Sequence, residues 1–440
     1  MGAWKKIAAL AVSALLLATA GLFLTGCGGE SDPFSERIRI GVIMGYSDDP
    51  ETISKRNYLE QYIEANYPVE FVFAADVESG TSELAELENL AAEGVKGVLA
   101  LTNFSSADSL AFCEENEIYY ARAFSGMYTQ TARSTSGTSL INCVPASDYD
   151  DFQYNAGSVG IVTHDRMAEN TTAYKAAYQA IGSFLESGCA HYVMYCAPYF
   201  NTTIALEITS QQDAMAGMLA RLTESGVTST VNAADITFSI SSQAANAGVS
   251  SVRAVTGYST DAAVTEALDS AASEIESSLS SWGGSGVALA TGQLAEILAV
   301  TRLDEISGLG VGGKGLMSEE YRTLAESGKI SWLYSDFGAS VAPAFVLLYN
   351  AVNGTLIRDA AGLPLNIETG YWVAESGEEF LRQYESDADL TEPVITAEEM
   401  NRFIKTYTSE GGITYEYADT VDAEAFAAFA AAYTYGELTA

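Results

Sequence analysis

The chain has 440 residues, of which 21 are basic and 58 acidic, and its formal net charge is −37 at neutral pH. Such an acidic surface repels phosphate polymers and anionic lipid headgroups, which excludes nucleic acid as a partner. The length exceeds the size at which one hydrophobic core stops growing, so we expect two lobes.

The first 26 residues have the layout of a secretory signal. Two lysines precede an uncharged stretch from Ile7 to Leu24, and small residues follow before Cys27. Loss of 1–26 removes two lysines and no acid, which takes the net charge from −37 to −39. A transmembrane anchor is the alternative, because the uncharged stretch approaches the length of a bilayer span. Both interpretations place the body of the protein outside the cytoplasm, tethered to a membrane.

Strand and helix patterns alternate after a short polar tether over 27–36. Short, continuous apolar strands alternating with amphipathic helices predict a parallel sheet covered on both faces. In the first half, the pattern predicts strands over 37–44, 69–73, 95–101, 118–123 and 139–144, and helices over 52–66, 81–93 and 105–116.

A second series follows an acidic, glycine-containing stretch from Ser147 to Gly160. It predicts helices over 165–187, 204–225, 261–281, 293–303, 318–327 and 340–353, and strands over 190–196, 286–290, 308–312 and 330–334. A further strand is expected over 235–240 or 252–257, and the pattern does not decide which of them is central. Beyond 376, a strand pattern occurs only at 412–417, and the alanine-rich stretch 423–432 predicts a helix. The fold class that follows is α/β, with two doubly wound parallel-sheet lobes.

Four cysteines remain beyond Cys27, and a location outside the cytoplasm permits disulfides. Cys189 and Cys196 lie at opposite ends of a predicted strand, which is too far apart for a bridge. Cys113 and Cys143 either form a disulfide or remain buried free thiols, and the sequence leaves both alternatives open. The cysteines and the two histidines show no zinc-site spacing, so we expect neither a metal nor another cofactor.

Motifs of catalysis are missing from the sequence. It contains no Gly-x-Ser-x-Gly elbow, no P-loop and no His-Glu-x-x-His helix. The glycine-rich run from Gly310 to Gly315 lacks the Gly-Lys-Ser/Thr ending of a phosphate-binding loop. Paired acids such as Asp48 and Asp49 are typical of a solvated surface. The sequence therefore predicts a binding protein rather than an enzyme.

Polar and aromatic residues follow the predicted strands at their carboxyl ends, where open parallel sheets bind ligands. Two facing sheets place these loops around one cleft, in which aromatic rings stack on a ligand and polar side chains hydrogen-bond to it. The predicted ligand-binding residues are Tyr46, Ser47, Asp48, Asn103 and Phe124 in the first lobe, Tyr199, Asn201, Tyr258 and Gln293 in the second, and Asp336 between them. For the Tyr199–Asn201 cluster, packing beneath the next helix is an equally good interpretation.

Two resemblances to known families rest on short stretches of the sequence. The end of the leader, Leu24–Cys27, resembles the lipobox of bacterial lipoproteins. The order and spacing of elements over 37–375 resemble the type 1 periplasmic binding proteins, the ribose-binding and LacI-core-like family of solute receptors. The stretches that carry this second resemblance are Ile38–Met44 with its polar loop, Asn103, the run from Gly310 through helix 318–327 and strand 330–334 to Gly338, and the closing Gly370–Val373.

The lipobox resemblance implies that the signal, 1–26, is removed and that Cys27 carries the lipid, with palmitate among its acyl chains. The binding-protein resemblance implies two lobes joined by a three-segment hinge that closes on a ligand. It places the crossings near 144–150, 335–338 and 362–369, which assigns 37–145 with 338–362 to lobe 1, and 150–335 with 366–440 to lobe 2, including a C-terminal helical extension.

The implied function is that of a monomeric, membrane-anchored solute-binding protein. It would deliver a small, sugar-like ligand to an ABC-type permease. A ligand-sensing receptor of the same fold, coupled to a membrane kinase or chemoreceptor, is the alternative that the resemblance leaves open.

Several sugar-contacting positions of that family differ in this chain. Ala123–Ser125 stands where an Asp-Arg pair is usual, and the segment 210–217 has no arginine. Thr291–Gln293 replaces an Asn-Asp pair, and Lys314 replaces an aspartate. These departures leave the fold expectation unchanged but put a simple hexose or pentose ligand in doubt.

Overall fold

Two six-stranded sheets organise the chain in the computed structural model of this protein. The structure describes residues 36–432 apart from 46, 48, 78–79, 103–106, 125–132, 136–137, 141–157, 164–171, 197–208, 233–234, 257–263, 283–286, 292–307, 316, 359, 361–363, 369–370, 409–413 and 417–421.

The first half of the chain alternates strands with helices. Its elements are β1 (Ile38–Ile43), α1 (Pro50–Asn57), a π-helical turn (Tyr58–Ile63), α2 (Glu64–Asn66), β2 (Val69–Phe73), α3 (Gly80–Ala92), β3 (Gly97–Ala100), α4 (Ala107–Glu115), β4 (Tyr119–Phe124), β5 (Arg133–Thr135), β6 (Thr138–Leu140) and β7 (Ser158–Thr163).

The same alternation continues through the middle of the chain. Its elements are α5 (Thr172–Glu186), β8 (His191–Cys196), α6 (Thr209–Glu224), β9 (Val227–Asn232), β10 (Asp235–Ile240), α7 (Ser242–Asn246), β11 (Ser251–Thr256), α8 (Val264–Ser281), β12 (Val287–Thr291), β13 (Leu309–Lys314), α9 (Glu319–Glu326) and β14 (Ile330–Ser335).

The last part of the chain is mainly helical. Its elements are a 3-10 helix (Gly338–Val341), α10 (Ala342–Val352), β15 (Leu365–Glu368), β16 (Trp372–Ala374), α11 (Gly377–Ala388), α12 (Ala397–Asn401), β17 (Thr406–Thr408), β18 (Thr414–Glu416) and α13 (Ala423–Ala432).

Strand pairing confirms the predicted fold class. The first sheet has the order β15-β7-β4-β3-β1-β2 and the second the order β11-β8-β12-β13-β14-β16. Within these two sheets, all pairs of described strands are parallel except β14–β16. The chain crosses between the sheets after β7, after β14 and after β15, which is the three-segment connection that we expected. We name the unit around the first sheet lobe 1 and the unit around the second lobe 2.

Two predicted lobe boundaries shift. Ser158–Thr163 is a strand of the first sheet, between β4 and β15, so the first crossing comes after Thr163 and not at 144–150. Leu365–Glu368 pairs with this strand, so lobe 1 extends past 362 to Glu368. The sequence signal for Ser158–Thr163 is weak because it is short and contains Gly160, and glycine is a poor strand former.

Neither candidate for the further strand of lobe 2 is central. β10 pairs only with β9 in an antiparallel hairpin among the described strands, and β11 forms the edge of the second sheet. The predicted helix over 293–303 lies outside the described residues, as does most of the predicted strand over 139–144. The helix predicted over 423–432 is confirmed, and the strand pattern at 412–417 corresponds to β18.

Helix α10 is enclosed on all sides and is mainly apolar. Each of its residues from Ala342 to Ala351 is buried. On one side it packs against the first sheet, and on the other Asn350 bonds with the backbone of Phe403 and Lys405 near the C-terminus. One apolar cluster runs from β1 through α10 and Phe337 on the second crossing to Trp372 of β16 and into the second sheet.

Cys113 and Cys189 are buried free thiols, which agrees with the free-thiol alternative for Cys113. Cys27 and Cys143 lie outside the described residues. Among the helices that the structure describes, none is both long and apolar enough to cross a membrane.

Candidate functional site

The carboxyl ends of the parallel strands lie at one edge of each sheet and define where a ligand would bind. In the first sheet this edge includes Ile43, Ala100 and Phe124, the last residues of β1, β3 and β4. In the second it includes Cys196, Thr291, Lys314 and Ser335, which end β8, β12, β13 and β14.

The structure describes only three of the predicted ligand-binding residues, and it tests ligand contact for none of them. Tyr46, Asp48, Asn103, Tyr199, Asn201, Tyr258 and Gln293 lie outside the described residues. Phe124 is the last residue of β4, so its backbone lies at a strand end as predicted. Ser47 and Asp336 are described with their side chains.

Ser47 joins two strand-end loops. Its backbone N–H and its hydroxyl both donate to the carboxylate of Asp76, at 3.1 and 2.8 Å. Asp76 follows β2, and both residues are exposed. The bonds hold the loop after β1 against the loop after β2, at the edge where a ligand is expected. Contact of Ser47 with a ligand stays a prediction.

Asp336 lies on the second crossing and is completely buried. Lys55 Nζ is 2.5 Å from its Oδ2, and its Oδ1 accepts the backbone N–H of Phe337 at 2.8 Å. Both carboxylate oxygens therefore face groups of the protein itself. In this arrangement the side chain holds α1 to the crossing, and its predicted role in ligand binding remains untested.

Lys55 stays charged although it is buried. Burial lowers the pKa of its amine, but the carboxylates of Asp336, Glu51 and Asp49 raise it by more, so the net shift is upward. Asp49 also caps α1 by accepting the N–H of Thr52 at 3.1 Å, and Pro50 begins the helix. The cap fixes the start of α1 and with it the position of Lys55.

Asp387, on α11, is the second acid at this crossing. It accepts the hydroxyl of Ser54 and, at 2.7 Å, the backbone N–H of Gly338. Burial raises the pKa of its carboxyl, and the hydrogen bonds from Ser54 and Gly338 oppose that rise. Sequence reasoning missed both Lys55 and Asp387, since neither belongs to a motif and their partners are distant in sequence.

A second buried polar network lies beneath the strand-end loops of lobe 1. Glu83 on α3 is completely buried and accepts from Tyr120 at 2.8 Å and from Thr102 at 3.4 Å. Burial raises its pKa, while the charge of the buried Arg122 lowers it. The network fixes Thr102, which directly precedes the predicted ligand-binding residue Asn103 in the sequence.

The described residues contain no group of His, Cys, Asp and Glu side chains that could hold a metal ion. The chemistry that the described groups offer is hydrogen bonding and charge pairing. The acids near the second crossing are engaged by Lys55, Ser54 and backbone N–H groups.

Comparisons with known proteins give similarity of structure only. No protein-family model matches the chain, and no curated protein matches it in sequence. The chain is similar to an ABC transporter periplasmic solute binding protein from Actinobacillus succinogenes with bound D-allose, at 12% identity and a TM-score of 0.49. That match covers 79% of this chain and 100% of the other.

Two further solved structures show the range of similar proteins. One is an ABC transporter solute binding protein from Bacillus halodurans with bound myo-inositol, at 15% identity, a TM-score of 0.46 and coverage of 80% and 99%. The other is a putative LacI transcriptional regulator from Bacteroides fragilis, at 11% identity, a TM-score of 0.44 and coverage of 77% and 97%. We draw no functional conclusion from similarities at this level.

Proposed function

We propose that this protein binds a small polar solute between its two lobes and presents it to an ABC-type permease. The observation that carries the proposal is the architecture itself, two parallel sheets connected by three crossings. Ligands bind at the carboxyl ends of such sheets, and crossings of this kind serve as hinges in binding proteins that close on their ligands.

The proposed location is the outer face of a bacterial cell membrane, with Cys27 as the lipid attachment site. The charged start, apolar middle and small residues of 1–26 support this location. The protein acts as a binder that releases its ligand unchanged, because its sequence lacks motifs for nucleophilic, metal or phosphoryl-transfer chemistry.

The proposed ligand is sugar-like in its density of hydroxyl groups. The predicted ligand-binding residues support this class. Asn103, Asn201 and Gln293 have amides that both donate and accept hydrogen bonds, and Tyr199 and Tyr258 have rings that can stack on an apolar face. The chain lacks the charged residues that usually contact simple sugars in the family it resembles. The candidate ligands therefore extend to polyols, nucleosides and amino-acid derivatives.

A thermal-shift screen of the chain from Gly28 onward tests the proposal. The panel contains sugars, polyols, nucleosides, amino acids, polyamines and short peptides. A ligand at a hundred times its dissociation constant adds about 2.7 kcal/mol of stability, a shift of a few degrees. Recovery of the ligand unchanged by mass spectrometry supports a binder, whereas turnover supports an enzyme. A panel without any shift contradicts the proposal.

Matched variants connect a positive result to the cleft. We expect Asn103→Ala to weaken binding of the hit and Asn116→Ala to leave it unchanged, since Asn116 is exposed and its amide donates to the carbonyl of Phe112 in the preceding helix. Uptake of the labelled hit by cells lacking the protein separates import from sensing. If the protein serves an importer, cells that lack it will fail to take up the hit. If it is a sensing receptor, uptake will continue without it.

A further inference from the structure

The C-terminal segment connects the lobes a fourth time. Its first helix, α11, belongs to lobe 2. Gln383 donates to the backbone carbonyl of Val373 at 2.6 Å, and the rings of Phe380 and Tyr321 lie 6.1 Å apart. At Gly377, a Cβ atom would lie 2.5 Å from the carbonyl oxygen of Ala325, so the helix begins in direct backbone contact with α9.

The continuation of the same segment belongs to lobe 1. The hydroxyl of Tyr58 donates to the carbonyl of Ile395 at 2.7 Å, and the hydroxyl of Tyr62 accepts the N–H of Ala397 at 2.7 Å. Tyr67 donates to Asn401 at 2.8 Å. Three tyrosines of the helical segment after β1 therefore hold α12.

Asn350 completes the attachment to lobe 1. Its amide donates to the carbonyl of Phe403 at 2.9 Å and accepts the N–H of Lys405 at 3.0 Å, in a buried position. Residues 377–404 thus leave lobe 2 and are secured on lobe 1, which contradicts the predicted assignment of 366–440 to lobe 2 alone. We call residues 377–404 the strap.

The strap meets both lobes and a crossing at one point. Asp387 accepts from Ser54 on α1 of lobe 1 and from Gly338 on the second crossing. The backbones of Gly338 and Ser54 are in close contact, because a Cβ atom on Gly338 would lie 2.7 Å from the carbonyl oxygen of Ser54. The neighbouring Lys55 binds Asp336 on the same crossing. We call Asp387 with Ser54 and Gly338 the latch.

We propose that the strap and the latch set the angle between the two lobes. Rotation of lobe 2 about the crossings moves α11 relative to α1, so it breaks the bond between Ser54 and Asp387 or strains the eight-residue link from Asp389 to Thr396. A binding protein with three crossings alone lacks this restraint. The restraint acts whether or not a ligand is present.

Single-molecule energy transfer between the lobes tests the proposal without a ligand. Dyes attached through a keto amino acid at Glu88 of lobe 1 and Ser250 of lobe 2, both exposed, report the interlobe distance. We expect one narrow distance distribution for the parent protein. Asp387→Ala and Ser54→Ala are expected to broaden and shift it.

Asp389→Ala is the matched control, because Asp389 is an exposed aspartate two residues away whose carboxylate accepts hydrogen bonds from Thr391 and from the backbone of Glu392, within its own turn. A protease site inserted beside Thr391 allows the strap to be cut after folding, which avoids any dependence on a variant's refolding. Cleavage is expected to broaden the distribution further.

Unchanged distributions in Ser54→Ala and after cleavage overturn the proposal. If only cleavage changes the distribution, the strap restrains the lobes and the latch does not. If only Ser54→Ala changes it, the latch restrains the lobes and the strap does not. Because the readout needs no ligand, a failed ligand screen and a failed restraint give separate results.

Discussion

Phe337 and Trp372 stack face to face, with ring centroids 4.3 Å apart and planes 6° from parallel. Phe337 lies on the second crossing, whereas Trp372 begins β16, the strand that follows the third crossing. Both side chains are buried. Trp372 also pairs with Ser335 in the antiparallel contact of β16 with β14. The second crossing is therefore packed against the first residue of β16, so movement of Phe337 and movement of Trp372 are coupled.

Removing this stack will destabilise the protein. We expect Trp372→Ala to lower the free energy of unfolding by about 3–5 kcal/mol, since it empties a large buried volume. Trp372→Phe is expected to retain most of the stability, because the ring remains and the indole N–H has no hydrogen-bond partner in the described part of the chain. Urea unfolding checks both, and equal losses in the two variants would contradict the role of the stack.

Breaking the buried pair of Lys55 and Asp336 will be costly. Lys55→Met leaves a completely buried carboxylate without its counter-charge, for which we expect a loss of about 3–5 kcal/mol. Arg322→Met is the control, because Arg322 pairs with Glu319 and Glu326 on an exposed helix face, where solvent screens the charges and we expect little or no loss. Similar losses in the two variants, measured in urea, would show that the buried pair contributes little.

The same pair predicts a loss of stability in alkali. The folded-state pKa of Lys55 is raised because its acidic neighbours outweigh burial. The ordinary pKa of a lysine is about 10.4. Near that pH the unfolded chain releases a proton that the folded state retains. The contribution is complete below this pH and is lost as the pH rises through the folded-state pKa. The parent protein should lose more stability over this range than Lys55→Met, and parallel profiles would contradict the assignment.

Much of the fold was predictable because local pattern determines it. Continuous apolar strands such as Tyr192 to Tyr195 in β8 and striped helices such as α3 can be recognised within a window of about ten residues. The strand Ser158–Thr163 was not predicted because its sequence signal is weak. The attachment of the strap to lobe 1 was not predicted because Tyr58 and Ile395 are far apart in sequence and only the folded chain brings them together.

The candidate site was less predictable than the fold. Strand ends identify the edge where a ligand binds, and Phe124 lies there as expected. The pairing of Asp336 with Lys55 depends on how α1 packs on the second crossing, which periodicity does not encode. A buried carboxylate and a ligand-binding carboxylate have the same appearance in a sequence.

Cys113 will be unreactive in the folded protein. Burial, assisted by the nearby carboxylate of Glu83, raises the pKa of its thiol to about 12, so the nucleophilic thiolate is scarce at neutral pH. We expect iodoacetamide to modify Cys113 only after unfolding in urea, as followed by peptide mass spectrometry. Rapid modification of the native protein would contradict both the burial and the shift.

Two glycines in the helix pair α5 and α6 predict opposite effects of the same substitution. At Gly217 of α6, a Cβ atom would lie 2.1 Å from the carbonyl oxygen of Tyr174, so the two backbones are in contact. At Gly182 of α5, the nearest atom is Nε of Arg221 at 3.4 Å, which is an ordinary contact with a flexible side chain. Only Gly217 is therefore required by the packing of the helices.

Alanine at each position separates packing from helix propensity. Alanine in place of an interior glycine favours a helix by up to about 1 kcal/mol, so Gly182→Ala should be neutral or stabilising. Gly217→Ala should lose roughly 1–3 kcal/mol, because α6 must move away from α5 to admit the methyl group. Thermal and urea unfolding of both variants measure the difference. If Gly217→Ala is as stable as Gly182→Ala, the helices do not approach as closely as the structure shows.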